Sequence, residues 1–165
     1  MLTAPPPFGP LVLADLRRAP GSHDLGERAV RHAVLGALLG DLARADHGLA
    51  QALLAAEAAA HAAGASQAGD EVMLRRAGFV LALFRDPDDV WRHWAAKLAS
   101  AATFGVYPVA ALAAAGLELT VAWMHASPDP RGPHVLALLD AVDTEAVVAW
   151  WVAMREEHGG PEAPT

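Results

Sequence analysis

"DEVMLRRAGFVLALFRDPDDVWRHWAAKLAS", residues 70–100, decides the fold. Asp70 suits the N-cap of a helix over residues 71–85, and Met73, Leu74, Ala77, Leu81 and Phe84 recur at helical spacing and face inward. An acidic corner follows. Asp86 fits the next N-cap, and Pro87 fits the first helical position, where its missing N–H is no loss. Asp88 and Asp89 fit the first turn, where the helix dipole favours negative charge. A second helix then runs to about residue 103. Two apolar helices meeting at a tight corner predict an all-α protein.

Composition agrees. The chain has 165 residues, enough for one domain with its own core, and 54% of them are hydrophobic. Alanine, the best helix former, dominates, and isoleucine is absent, so strand formers are thin. Arginine supplies every basic residue but Lys97, a bias expected of a GC-rich bacterial genome. The net charge is −7, and the arginines are scattered, so a nucleic-acid-binding face is disfavoured. With no cysteine, the chain has no disulfide, thiolate zinc site or cysteine nucleophile. A cytoplasmic location is expected.

The same punctuation recurs outward from the corner. Residues 1–10, with three consecutive prolines, are expected to be a flexible arm rather than a signal peptide, and residues 159–165 a flexible tail. Residues 11–158 are expected to form one domain. A short helix is placed at residues 11–18. A longer one follows, capped by Ser22 or Asp24, with Leu25, Ala29, Ala33, Ala37 and Leu38 in phase. Gly36 and Gly40 would let another helix approach closely. Gly48 punctuates, and the next helix ends at Gly64. Further helices are expected from Pro108 to about residue 126, from Pro133 to about 141, and from an Asp143 cap to 157, with Glu145 early and Arg155 late. About eight helices with short connections predict a compact multi-helix bundle or a short α-solenoid. Residues 98–117 carry no charge, but Gly105 and Pro108 break the stretch, which argues for two core helices over a membrane span.

A repeat is visible. "FVLALFRDPDDVWRHW" and "HVLALLDAVDTEAVVAWW" share an apolar run, an acidic turn and a tryptophan-bearing helix, with Val80 answering Val135 and Asp88 answering Asp143. Residues 80–102, through Asp86, Pro87, Asp88, Val90, Arg92, Ala95, Ala96 and Leu98, resemble a HEAT-type helical repeat. Trp91 departs from that pattern by separating Val90 from Arg92, and bulky Trp94 falls near a position that is usually small. The resemblance implies stacked helix pairs and a scaffold role, and it implies no catalytic residue.

Chemistry is sparse. Asp86, Asp88 and Asp89 could hold a hard cation, but no glycine turn or closing glutamate accompanies them, and a helix start explains all three. His93 lies one turn after Asp89, which an ion pair explains. Glu57 and His61 repeat that spacing without the Glu-x-x-His of a di-iron bundle. His23-Asp24 is read as part of a helix cap. No metal or cofactor is expected. Trp91, and Val147 with Trp151 and Met154, are read as core; one of Trp150 and Trp151 must lie at an edge, where it can stack under an arginine or anchor a partner. Glu118 and His125 share a face with Ala111, Ala115 and Ala122. If that face is buried, Glu118 gains a raised pKa and an acid–base role; otherwise the face is exposed.

The leading expectation is a non-catalytic accessory or regulatory module that binds another protein, with Arg92, His93, Trp150 and Trp151 on its face. Homo-oligomerisation stays open. The alternative is a small-molecule-binding or enzymatic bundle with a pocket near Glu118, His125 and the tryptophans.

Overall fold

The computed structural model describes residues 14–17, 25–67 and 69–158. These residues form a helical turn at 14–17 and then eight α-helices: α1 (Arg28–Gly40), α2 (His47–Ala62), α3 (Asp70–Ala82), α4 (Val90–Lys97), α5 (Ala101–Val106), α6 (Leu117–Ala126), α7 (Gly132–Leu139) and α8 (Thr144–His158). Short 3-10 turns at Arg44–Asp46, Pro87–Asp89 and Val109–Ala113 join some of them. No strand is present among the described residues, so the fold is all-α. The expected arm, tail, Ser22 cap and His23-Asp24 pair lie outside the described residues.

The centre of the bundle is α3. Its residues are apolar on nearly every side, which suits a helix surrounded by others. Leu74, Ala77, Val80 and Leu81 pack with Val34, Leu35, Leu38, Leu53 and Leu54 of α1 and α2. Phe79, Ala82 and Leu83 pack with Val90, Leu112, Met124, Val135, Leu139, Val147 and Trp151. One helix therefore joins two apolar clusters into a bundle. No described helix is long and apolar enough to cross a membrane.

Several local readings change. The buried face of α1 is Val30, Val34, Leu35 and Leu38, with Leu25 and Ala37 at its edge and Ala29 exposed. The larger side chains win the core because burying them removes more apolar area from water. The break after α1 falls at residues 41–43, and Gly48 lies inside the first turn of α2. Gly36 and Gly40 face open space, so no described helix approaches them.

The helix expected to run to residue 103 is two helices. Ser100 Oγ accepts from the Thr103 N–H at 3.1 Å and Thr103 Oγ1 from the Ser100 N–H at 2.8 Å, a reciprocal cap that starts α5. Lys97 then turns its ammonium onto the carbonyls of Phe104 and Tyr107, at 2.7 and 2.8 Å, closing the other end of α5. Likewise, the Pro108 helix begins as a 3-10 turn, and Gly116 at φ 118 redirects the chain into α6.

The acidic corner forms as expected. Asp86 Oδ1 accepts from the Asp88 N–H at 2.9 Å, and Pro87 opens the turn. Asp143 Oδ1 accepts from the Ala146 N–H at 2.7 Å, so the second half of the apparent repeat is also a capped corner. The helices do not stack as HEAT units do. Val109–Ala113 packs on α4, while α6 packs on Pro87–Asp89, and the described helices show no HEAT repeat.

Gly78 has a specific reason to lack a side chain. A Cβ there would collide with the Tyr107 hydroxyl and sit 2.9 Å from Tyr107 Cζ. Tyr107 is fully buried and held by His93, so it has no room to withdraw. Gly78→Ala is expected to cost about 1–3 kcal/mol by overpacking, read from urea unfolding. A glycine in a helix interior ordinarily gains about 0.5–1 kcal/mol on change to alanine, so the sign alone tests the contact.

Candidate functional site

The described surface carries an open groove of about 320 Å³, bounded by Arg85 after α3, Gly116 and Leu117 at the start of α6, and one side of α8. Each wall follows from local sequence. Asp86 precedes a proline and is held extended, at φ −85 and ψ 119. Arg85 absorbs the turn by adopting φ 52, the left-handed region that usually falls to glycine. That conformation costs a non-glycine residue on the order of 1 kcal/mol. Strain kept at a surface position is a pointer to use.

The floor of the groove is apolar. Val147, Trp151 and Met154 of α8 point into the core as expected, and Trp151 also lines the groove. Val148 and Val152 stand beside it, 56% and 50% exposed. Arg85 stacks on the Trp151 ring at 4.8 Å and Arg155 at 6.0 Å. An indole under two cations gains from both.

Neither groove arginine has a carboxylate partner among the described residues. By contrast Arg17, Arg28, Arg31, Arg75, Arg92 and Arg131 all face carboxylates. In a chain of net charge −7, two adjacent guanidiniums without an acid form a local positive site. Arg44 is likewise without an acid partner and lines a smaller polar pocket with His47, Phe84 and Asp86.

One lining residue of that smaller pocket, His47, holds the buried Asp89. His47 Nε2 donates to Asp89 at 2.6 Å and Gln51 Nε2 at 2.8 Å, while the His47 ring stacks on Phe84 at 4.8 Å. Burial pushes the Asp89 pKa up, and the two hydrogen bonds oppose that rise. Asp89 was expected to pair with His93; instead it ties α2 to α4 through His47. No serine or threonine lines this pocket, and no group of three ligating side chains exists among the described residues.

The four residues nominated as a binding face do not share one. His93 is 1% exposed because α4 is covered by α2, α5 and Val109–Ala113. Its Nδ1 shares a hydrogen bond of 2.6 Å with the Tyr107 hydroxyl. Burial pushes the His93 pKa down to about 3 and the Tyr107 pKa up. Arg92 lies on the outer side of α4, 3.6 Å from Asp89 and 3.8 Å from Asp88. Trp150 packs edge-on against Phe79. Only Trp151 reaches the groove. Trp91 is half-buried rather than core, covered by Arg131 at 4.3 Å and beside Trp123.

Glu118 and His125 are both exposed and neither lines the groove. The acid–base reading therefore lacks the enclosure it needs. Glu57 and His61 do not form a ligand pair: Glu57 is buried against Arg31 at 2.8 Å, and His61 is buried with its Nε2 unpartnered.

Sequence reasoning missed Arg85, Gly116, Val148, Val152 and Arg155. One signal was present. Val148 and Val152 are four apart and outside the Val147–Trp151–Met154 stripe, so α8 carries a second apolar stripe. The left-handed turn at Arg85 had no comparable signal. Set against known proteins, the chain matches no family model, no curated protein and no solved structure.

Proposed function

We propose that the protein is a non-catalytic interaction module that docks a helix of a partner protein along α8. One observation carries this reading: exposed valines border an apolar groove that holds two arginines without acidic partners. Apolar anchors at helical spacing suit the helix-in-groove mode of recognition. The free guanidiniums suit a helix that brings a carboxylate, since an ion pair here would form over an apolar floor that excludes water. Docking of this kind suits an accessory or regulatory role.

The test is a titration of a short helical peptide with glutamate in its first turn and valines three and seven residues later. Protein is kept dilute and intrinsic tryptophan fluorescence is followed. Saturable binding is expected, weakened about tenfold or more by Arg85→Ala with Arg155→Ala, and weakened by added salt. Glu118→Ala, outside the groove, is expected to leave binding unchanged. Absence of saturation, or affinity indifferent to the arginines, removes the proposal.

A further inference from the structure

The outer face of α8 reads alike from both ends. Val148 and Val152 are equidistant from Trp150, and so are Glu145 and Arg155. At about 3.6 residues per turn, all four fall within one quarter of the helix circumference. All four are exposed. Neither Glu145 nor Arg155 makes an ion pair with a described residue.

From this we propose that the partner helix is supplied by a second copy of the chain, with the two α8 helices packed antiparallel. The inference rests on the docking surface proposed above and names its occupant. A two-fold axis at the level of Trp150 sets Val148 against the second copy's Val152, and Arg155 level with the second copy's Glu145. Because such a contact is isologous, each pairing occurs twice.

Orientation is selected by charge. A parallel pairing would set Arg155 beside Arg155 and Glu145 beside Glu145, and both juxtapositions repel. The antiparallel pairing turns the same four charges into two attractive pairs. Arg85 adds a second cation over the Trp151 ring, which strengthens the pull on the incoming glutamate. Four valines and two ion pairs make a small interface, so the dimer is expected to be reversible in the micromolar range rather than obligate.

Sedimentation velocity on the full chain, from about 1 to 200 µM, tests this. A dimer that grows with concentration is expected. Arg155→Glu sets two carboxylates level with each other, and Glu145→Arg sets two guanidiniums level; each is expected to weaken the dimer at least tenfold. Combining Glu145→Arg with Arg155→Glu rebuilds the pair with charges exchanged and is expected to restore association. Val148→Asp is expected to leave monomer. Thermal melts establish that each variant is folded, which exposed positions permit.

A monomer throughout that range overturns the inference, and so does a dimer that survives either single reversal. A dimer that the exchanged pair fails to rescue overturns the antiparallel arrangement. If the wild type is monomeric yet still binds the glutamate–valine peptide through Arg85 and Arg155, only self-pairing is lost. If the peptide also fails, the docking surface falls with it.

Discussion

Glu57→Ala is expected to lower folding stability by about 3–5 kcal/mol, the largest effect of any single change considered. Glu57 and Arg31 are both almost fully buried, with Arg31 Nε 2.8 Å from Glu57 Oε1. The guanidinium is completed by the carbonyls of Leu25 and Gly26, at 3.0 and 2.7 Å. Removing the glutamate leaves a buried cation with neutral acceptors alone. Bringing a charge out of water without a counter-charge is the costly step, far more than the lost contact itself. Replacing both partners, Arg31→Met with Glu57→Leu, removes that cost and is expected to recover most of the stability. Urea unfolding of the two variants decides the matter. Equal losses in the single and double variants would show that packing, rather than an orphaned charge, governs the site.

Acid is expected to unfold the protein through His93. Burial holds the folded-state pKa near 3, against about 6.5 in an unfolded chain. The shift is downward, so the unfolded state binds the proton first. Stability is therefore fully present above about pH 6.5 and declines as pH falls towards 3. Well inside that window one pH unit is worth about 1.4 kcal/mol, and a drop from pH 6.5 to 4.5 removes about 2 kcal/mol. His32 and His158 are also shifted down by burial and add in the same direction, while Asp89, shifted up, opposes them. His93→Phe isolates the term: it forfeits the Tyr107 hydrogen bond at every pH but flattens the slope. A variant whose stability falls with pH as steeply as the wild type would assign the acid sensitivity elsewhere.

Much of the fold is legible in order along the chain because helix ends are local events. Asp86 and Asp143 act where they stand, through hydrogen bonds from backbone N–H groups two or three residues away, and Pro87 through its fixed backbone angle. The Ser100–Thr103 cap is equally local, yet the strong helix formers on either side of Ser100, Leu98 and Ala99 before it and Ala101 and Ala102 after it, hid the break that shortened α4. The inward stripe of α3 and the Val147–Trp151–Met154 stripe were likewise readable, since large apolar side chains at helical spacing bury together.

The candidate site was legible only in Trp151. His93 and Arg92 sit next to each other on one short helix and meet opposite fates, because neighbouring residues on a helix point about 100° apart. Which of them faced water depended on α2 and Val109–Ala113, segments far away in sequence. Glu118 was singled out for standing alone in an uncharged stretch, but isolation in sequence says nothing about enclosure in space.

By its own pattern the sequence determined that the chain is all-α, where most helices start and stop, and which stripes are apolar enough to be buried. These follow from propensity, capping and period, all short-range. Tertiary structure alone decided which apolar stripe stayed uncovered and which arginines found acids. That Asp89 met His47, Glu57 met Arg31, and Arg85 and Arg155 met only an indole depends on where distant helices pass. The groove is what remains on α8 after α3 and Val109–Ala113 have covered its other sides.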